Sequence, residues 1–75
     1  MTPQAERHLA DADRHIAEAE ARITRQKRLI AAQAAANQDC TVSLKLLTTL
    51  EQSLALTHRH RRTILAELVG TVAPP

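Results

Sequence analysis

Four large aliphatic residues, Leu9, Ile16, Ile23 and Ile30, recur at intervals of seven, with Ala5, Ala12 and Ala19 between them. Steps that alternate between three and four residues hold one narrow apolar stripe on one side of a helix, and alanine at every second position lets a partner helix approach closely. A second stripe follows the same alternation through Leu47, Leu50, Leu54, Thr57, Arg61, Ile64 and Leu68, and Val42, Leu46, Leu65 and Val69 widen it on both sides. At about 100° per residue the two stripes fall on nearly opposite faces of one uninterrupted helix. A continuous rod would therefore leave one of them in water.

A break at 37–39 removes the conflict, because folding back lets the stripes face each other. Asn37 tolerates the left-handed conformation that ends a helix, and Asp39 can cap the next one. A connection of this length is normal between antiparallel helices. The expected fold is all-α, a coiled-coil-like antiparallel two-helix hairpin with helix 1 over about 3–36 and helix 2 over about 40–69. Thr2 and Pro3 read as N-cap and first helical residue, and Gly70 as a stop. The chain divides into a single domain over 1–70 and a frayed tail over 71–75. With the turn centred near Gln38, Arg61 should lie level with His15 and Ile16.

Seventy-five residues bury too little surface for a large core, and the apolar arc of helix 2 is wider than one facing helix covers. A homodimeric four-helix bundle is expected, with helix 2 of each protomer central and helix 1 outside. Its interface is assigned to Leu46, Leu47, Leu50, Leu54, Ile64, Leu65 and Leu68. An unidentified protein partner is also compatible with such a module.

Phe, Tyr and Trp are absent, so ligands that need an aromatic wall are disfavoured. The net charge of +2 permits a polyanion partner without demanding one. Cys40 is the only cysteine, which excludes an internal disulfide and suits a reducing compartment. Glu6, Asp11 and Asp13 stand where a secretory signal would be basic and then apolar, and no apolar run approaches the roughly 20 residues of a membrane span. The expected location is the cytoplasm, with no membrane partner.

Chemistry-bearing residues concentrate away from the turn. His8, Asp11, His15 and Glu18 share one side of helix 1, and His58 and His60 approach from helix 2. His8 and His15 are two turns, about 10 Å, apart and cannot share an ion. The one compact metal set pairs Asp11 with His15, or His15 with Glu18, and adds His58 or His60. Ordinary solvated helix decoration is the favoured reading of these residues, and no cofactor is expected. Protonation of histidines beside Arg59, Arg61 and Arg62 would add charge to a positive region as pH falls, but no sequence feature singles out a switch. Arg61 interrupts the stripe. It is either a buried charge paired with Asp11, Asp13, Glu18 or Glu20, or a side chain that lays its methylenes over the seam and puts its guanidinium in water; the second is favoured.

Arg22, Arg25, Lys27 and Arg28 form a basic band that faces only Glu51. It has neither aromatic interleaving nor helix-turn-helix spacing, so a solvated face is favoured over a nucleic-acid or polyanion site. Cys40 has no histidine at its end of the hairpin, Ser43 and Ser53 have no local base, and no Gly-rich phosphate loop exists. The chain is not expected to be an enzyme.

Two stretches carry a family resemblance: Ala5-Glu6-Arg7-His8 with Arg14-His15-Ile16, and Leu54-Ala55-Leu56 followed by His60-Arg61, Ile64-Leu65 and Glu67-Leu68. Together they resemble short uncharacterised bacterial two-helix proteins that pair an A-E-R-H…R-H-I helix with an L-A-L-H-x-x-H-R-x-x-L helix. Thr57 stands where that pattern has histidine. The resemblance implies a two-helix fold and supplies no activity.

Overall fold

The computed structural model describes residues 3–70 and consists, over that range, of two helices, α1 (Pro3–Ala35) and α2 (Thr41–Gly70). They pack side by side as an antiparallel hairpin. Both expected helices are present, with ends within a residue of expectation. Thr2 and the tail over 71–75 lie outside the described residues.

The turn is built by residues 36–40. Asn37 adopts φ 57°, the left-handed conformation. The Gln38 N–H donates to the Gln33 carbonyl at 2.8 Å and the Asn37 N–H to the Ala34 carbonyl at 3.1 Å. These two bonds form a Schellman closure, which satisfies carbonyls that the helix end would otherwise leave bare. On the far side, Asp39 Oδ1 accepts from the Thr41 hydroxyl at 2.6 Å and the Thr41 backbone N–H at 2.9 Å. The Cys40 carbonyl accepts the first bond of α2, from Leu44 N–H at 2.8 Å.

A non-helical residue can advance about 3.3 Å against 1.5 Å in a helix, and residues 38–40 belong to neither helix. The chain leaving Asn37 therefore drops back alongside α1 before α2 begins, and Cys40 Sγ already sits 3.8 Å from the Ile30 carbonyl. This displaces the expected levels. Arg61 meets Asp13, further from the turn than His15.

Every residue of the α1 stripe is at least partly covered, and its seven-residue spacing continues from Ala5, Ala12 and Ala19 through Gln26 and Gln33. The α2 stripe likewise begins earlier than its leucines, at Cys40 and Ser43. Gln26 and Ser43 are buried, and the Gln26 side-chain amide donates to the Ser43 carbonyl at 2.9 Å. Thr57, also in the seam, donates its hydroxyl to the Ser53 carbonyl one turn back at 3.1 Å, so its polarity is met within α2.

Only Ala12, Ile23 and Ile64 are buried apolar residues among those described. The reason is the shape, 58 × 20 × 12 Å. The hairpin is one helix layer deep, so seam side chains are covered from the side but open above and below.

Gln33 Oε1 is buried without a hydrogen-bond partner, and such an acceptor costs about 1–3 kcal/mol. Gln33→Leu should therefore raise the free energy of urea unfolding by about 1 kcal/mol or more, and by more than Gln26→Leu, which gives up the bond to Ser43; equal effects would contradict this account. The Thr41 hydroxyl, and after it the Thr41 N–H, hold the Asp39 carboxyl below its ordinary value of 3.8. A carboxylate with a depressed folded value stabilises fully above the unfolded value and loses that contribution as pH falls through the folded one. Asp39→Ala should melt earlier than the parent at neutral pH, with the gap closing as the pH drops below 3.8; a gap independent of pH would remove the cap from the account.

Candidate functional site

The seam is flanked by a groove system on each face of the hairpin. On the first face, away from the turn, His8, Asp11, Ala12 and His15 of α1 meet Ser53, Leu56, Thr57 and His60 of α2. Towards the turn the same face continues with Arg22, Arg25, Gln26 and Leu29 opposite Leu46 and Leu50. The second face is lined by Glu20, Ile23, Thr24, Lys27, Glu51, Leu54, Ala55 and His58.

This geometry divides the candidate metal set. Asp11, His15 and His60 share the first face and are joined there by His8. His58 lines the opposite face, because two residues along a helix turn a side chain by about 200°. Glu18 is exposed and lines neither groove. Asp11 is bonded to Arg14 at 2.9 Å. Among the described residues no group of three or more His, Cys, Asp or Glu side chains is placed to hold a metal ion.

The basic band is divided in the same way. Arg22 and Arg25 border the first face, Lys27 lies on the second beside Glu20 and Glu51, and Arg28 is exposed. Their cationic groups surround α1 instead of forming one strip along it.

Of the residues assigned to a dimer interface, Ile64 is buried and Leu47, Leu50, Leu54, Leu65 and Leu68 are half-buried within the hairpin. Leu46 is exposed, as are Leu29, Val42, Leu44, Leu56 and Val69. Leu29, Leu44 and Leu56 were not marked by the heptads, since each lies outside the alternating stripes.

Ser53 shares its groove with His15 and His60, which the sequence-based levels did not anticipate. No hydrogen bond joins Ser53 to either imidazole among the described residues. The walls are the sides of helices, whose amides are committed to bonds four residues back, so no backbone donors converge on a developing oxyanion. Cys40 is half-buried, with Sγ 3.5 Å from the Gln38 carbonyl and 3.8 Å from that of Ile30.

Arg61 crosses the seam edge to Asp13, Nε to Oδ1 at 2.5 Å, with side-chain exposures of 34% and 54%. It is neither a buried charge nor an unpaired one. Its stem covers apolar seam while its head is paired at the rim. No helix among the described residues is long and apolar enough to cross a membrane.

No family model, curated protein or solved structure matches this chain.

The exposure of the Arg61–Asp13 pair sets its energetic scale. Asp13→Asn should cost under about 1 kcal/mol, with the loss shrinking at high salt. A loss of several kcal/mol in chemical unfolding, insensitive to salt, would show that the pair is shielded from water.

Proposed function

We propose that this chain is a non-enzymatic helical hairpin that self-associates into a homodimeric four-helix bundle and serves as a protein–protein interaction or scaffold module in the cytoplasm. The observation that carries this reading is the single-layer body with three buried apolar residues among those described. A pair of helices this long leaves both faces of its seam uncovered, and a second layer is the ordinary remedy for a domain of this size.

The areas agree in scale. The chain exposes 5765 Å². A compact monomer of its 8.3 kDa mass exposes about 4,600 Å². The excess of about 1,200 Å² is more than the roughly 800 Å² that each partner contributes to a standard stable interface. Open groove walls without convergent donors, and the separation of the histidines over two faces, favour association over catalysis or metal binding. Membership among the short bacterial two-helix proteins that the sequence resembles belongs to the same reading.

Sedimentation equilibrium of the full chain at micromolar concentration should give twice the 8.3 kDa monomer mass. The melting temperature should rise with protein concentration, because dimerisation couples folding to mass action. A folded monomer whose melting does not depend on concentration would overturn the proposal.

A further inference from the structure

The two faces of the hairpin are not equivalent, and the difference selects where a second copy sits. On the first face Leu29, Leu46 and Leu56 are 48%, 47% and 61% exposed. Leu29 and Leu46 lie together near the turn, bordered by Leu50, with exposed Val42 one turn before Leu46. The second face carries Leu44 and Val69, at opposite ends of α2, and between them Glu20, Lys27, Glu51 and His58. The first face has the larger cluster of exposed apolar side chains, near the turn, bordered by Arg22 and Arg25, with His8, Asp11, His15 and His60 around Leu56 beyond it.

Resting on the reading that the chain self-associates, we propose that a second copy docks on the face bearing Leu29, Leu46 and Leu56, with the two turns at the same end of the bundle. A two-fold axis along the hairpin lays α1 of each protomer over α2 of the other. Leu29 and Leu46 line one groove, so this arrangement brings Leu29 of each copy over the Val42–Leu46 turn of the other and gathers four leucines near the axis. It also sets Arg22 and Arg25 over the neutral Thr49 and Ser53 stretch of the other α2, and lays the groove of His8, Asp11, His15 and His60 over its own copy. The alternative dyad, across the hairpin, would lay α1 on α1 and bring the leucines near the turn over His8 and His60 of the other copy. That arrangement gives up the leucine-to-leucine contact near the turn and sets those leucines against polar side chains instead, the poorer match. The chosen geometry differs from a bundle with α2 central, because both helices contribute equally to the contact.

The test combines charge insertion with a distance. Leu29→Glu and Leu46→Glu each place two carboxylates in the proposed apolar contact, within reach of Arg25, and should still weaken dimerisation by roughly 10-fold or more. Leu44→Glu, on the opposite face, should leave it within a few-fold. A nitroxide on Ala36→Cys in a Cys40→Ser chain, measured by pulsed dipolar spectroscopy, should give a distance well below half the 58 Å length of the body. Dimers disrupted by Leu44→Glu but not by Leu29→Glu or Leu46→Glu would overturn the assigned face while leaving self-association intact. A label distance near the full length would overturn the common-end arrangement, and needs no destabilising variant. A folded monomeric parent would defeat the underlying reading itself.

Discussion

Two long helices joined by a tight turn share a single line of contact, and along that line the chain can place only one residue in every three or four. The apolar surface that line removes from water has to offset the ordering of about sixty helical residues. Alanine at alternate positions brings the helices close and increases contact per residue, but each alanine contributes little area itself. The result is a long seam and a very small core, Ala12, Ile23 and Ile64. Everything else, including the open grooves and the exposed leucines, follows from having one layer where globular domains have two or more.

The turn determines which residues meet along that seam. Asn37 in the left-handed region ends α1, and Asp39 holds the start of α2 through Thr41. Because the intervening chain runs back along α1, α2 begins beside Ile30 instead of opposite the end of α1. Heptads alone allow a hairpin to slip by whole repeats. Gln26 bonded to the Ser43 carbonyl near one end, and Arg61 paired with Asp13 towards the other, are contacts that a slipped pairing would lose. Polar groups in a coiled-coil seam commonly serve in this way, trading some stability for a single register.

Much of the hairpin was legible because period is a property of hydrophobic residues. Leu9, Ile16, Ile23 and Ile30 announce their face, and the phase change near Asn37 announces the reversal. Gln26, Gln33 and Ser43 occupy the same seam but were not legible by that criterion, since a polar residue at an apolar position is visible only when the spacing is extended through it. The histidines were less legible still. His58 and His60 look like neighbours in the chain, yet helical geometry sends them to opposite faces, while Ser53 and His15, far apart in the chain, share a groove.

By itself the sequence determined the secondary structure, the place of the turn and the residues facing the seam, because helix periodicity and capping act over a few neighbouring positions. Only the tertiary structure decided the register, the pairing of Arg61 with Asp13, the burial of Gln26, the unmatched Gln33 acceptor and the division of charged and imidazole groups between two faces. Those depend on how far the turn advances the chain and on which sides of two separate helices come together. Neither quantity is written in the spacing of any one helix.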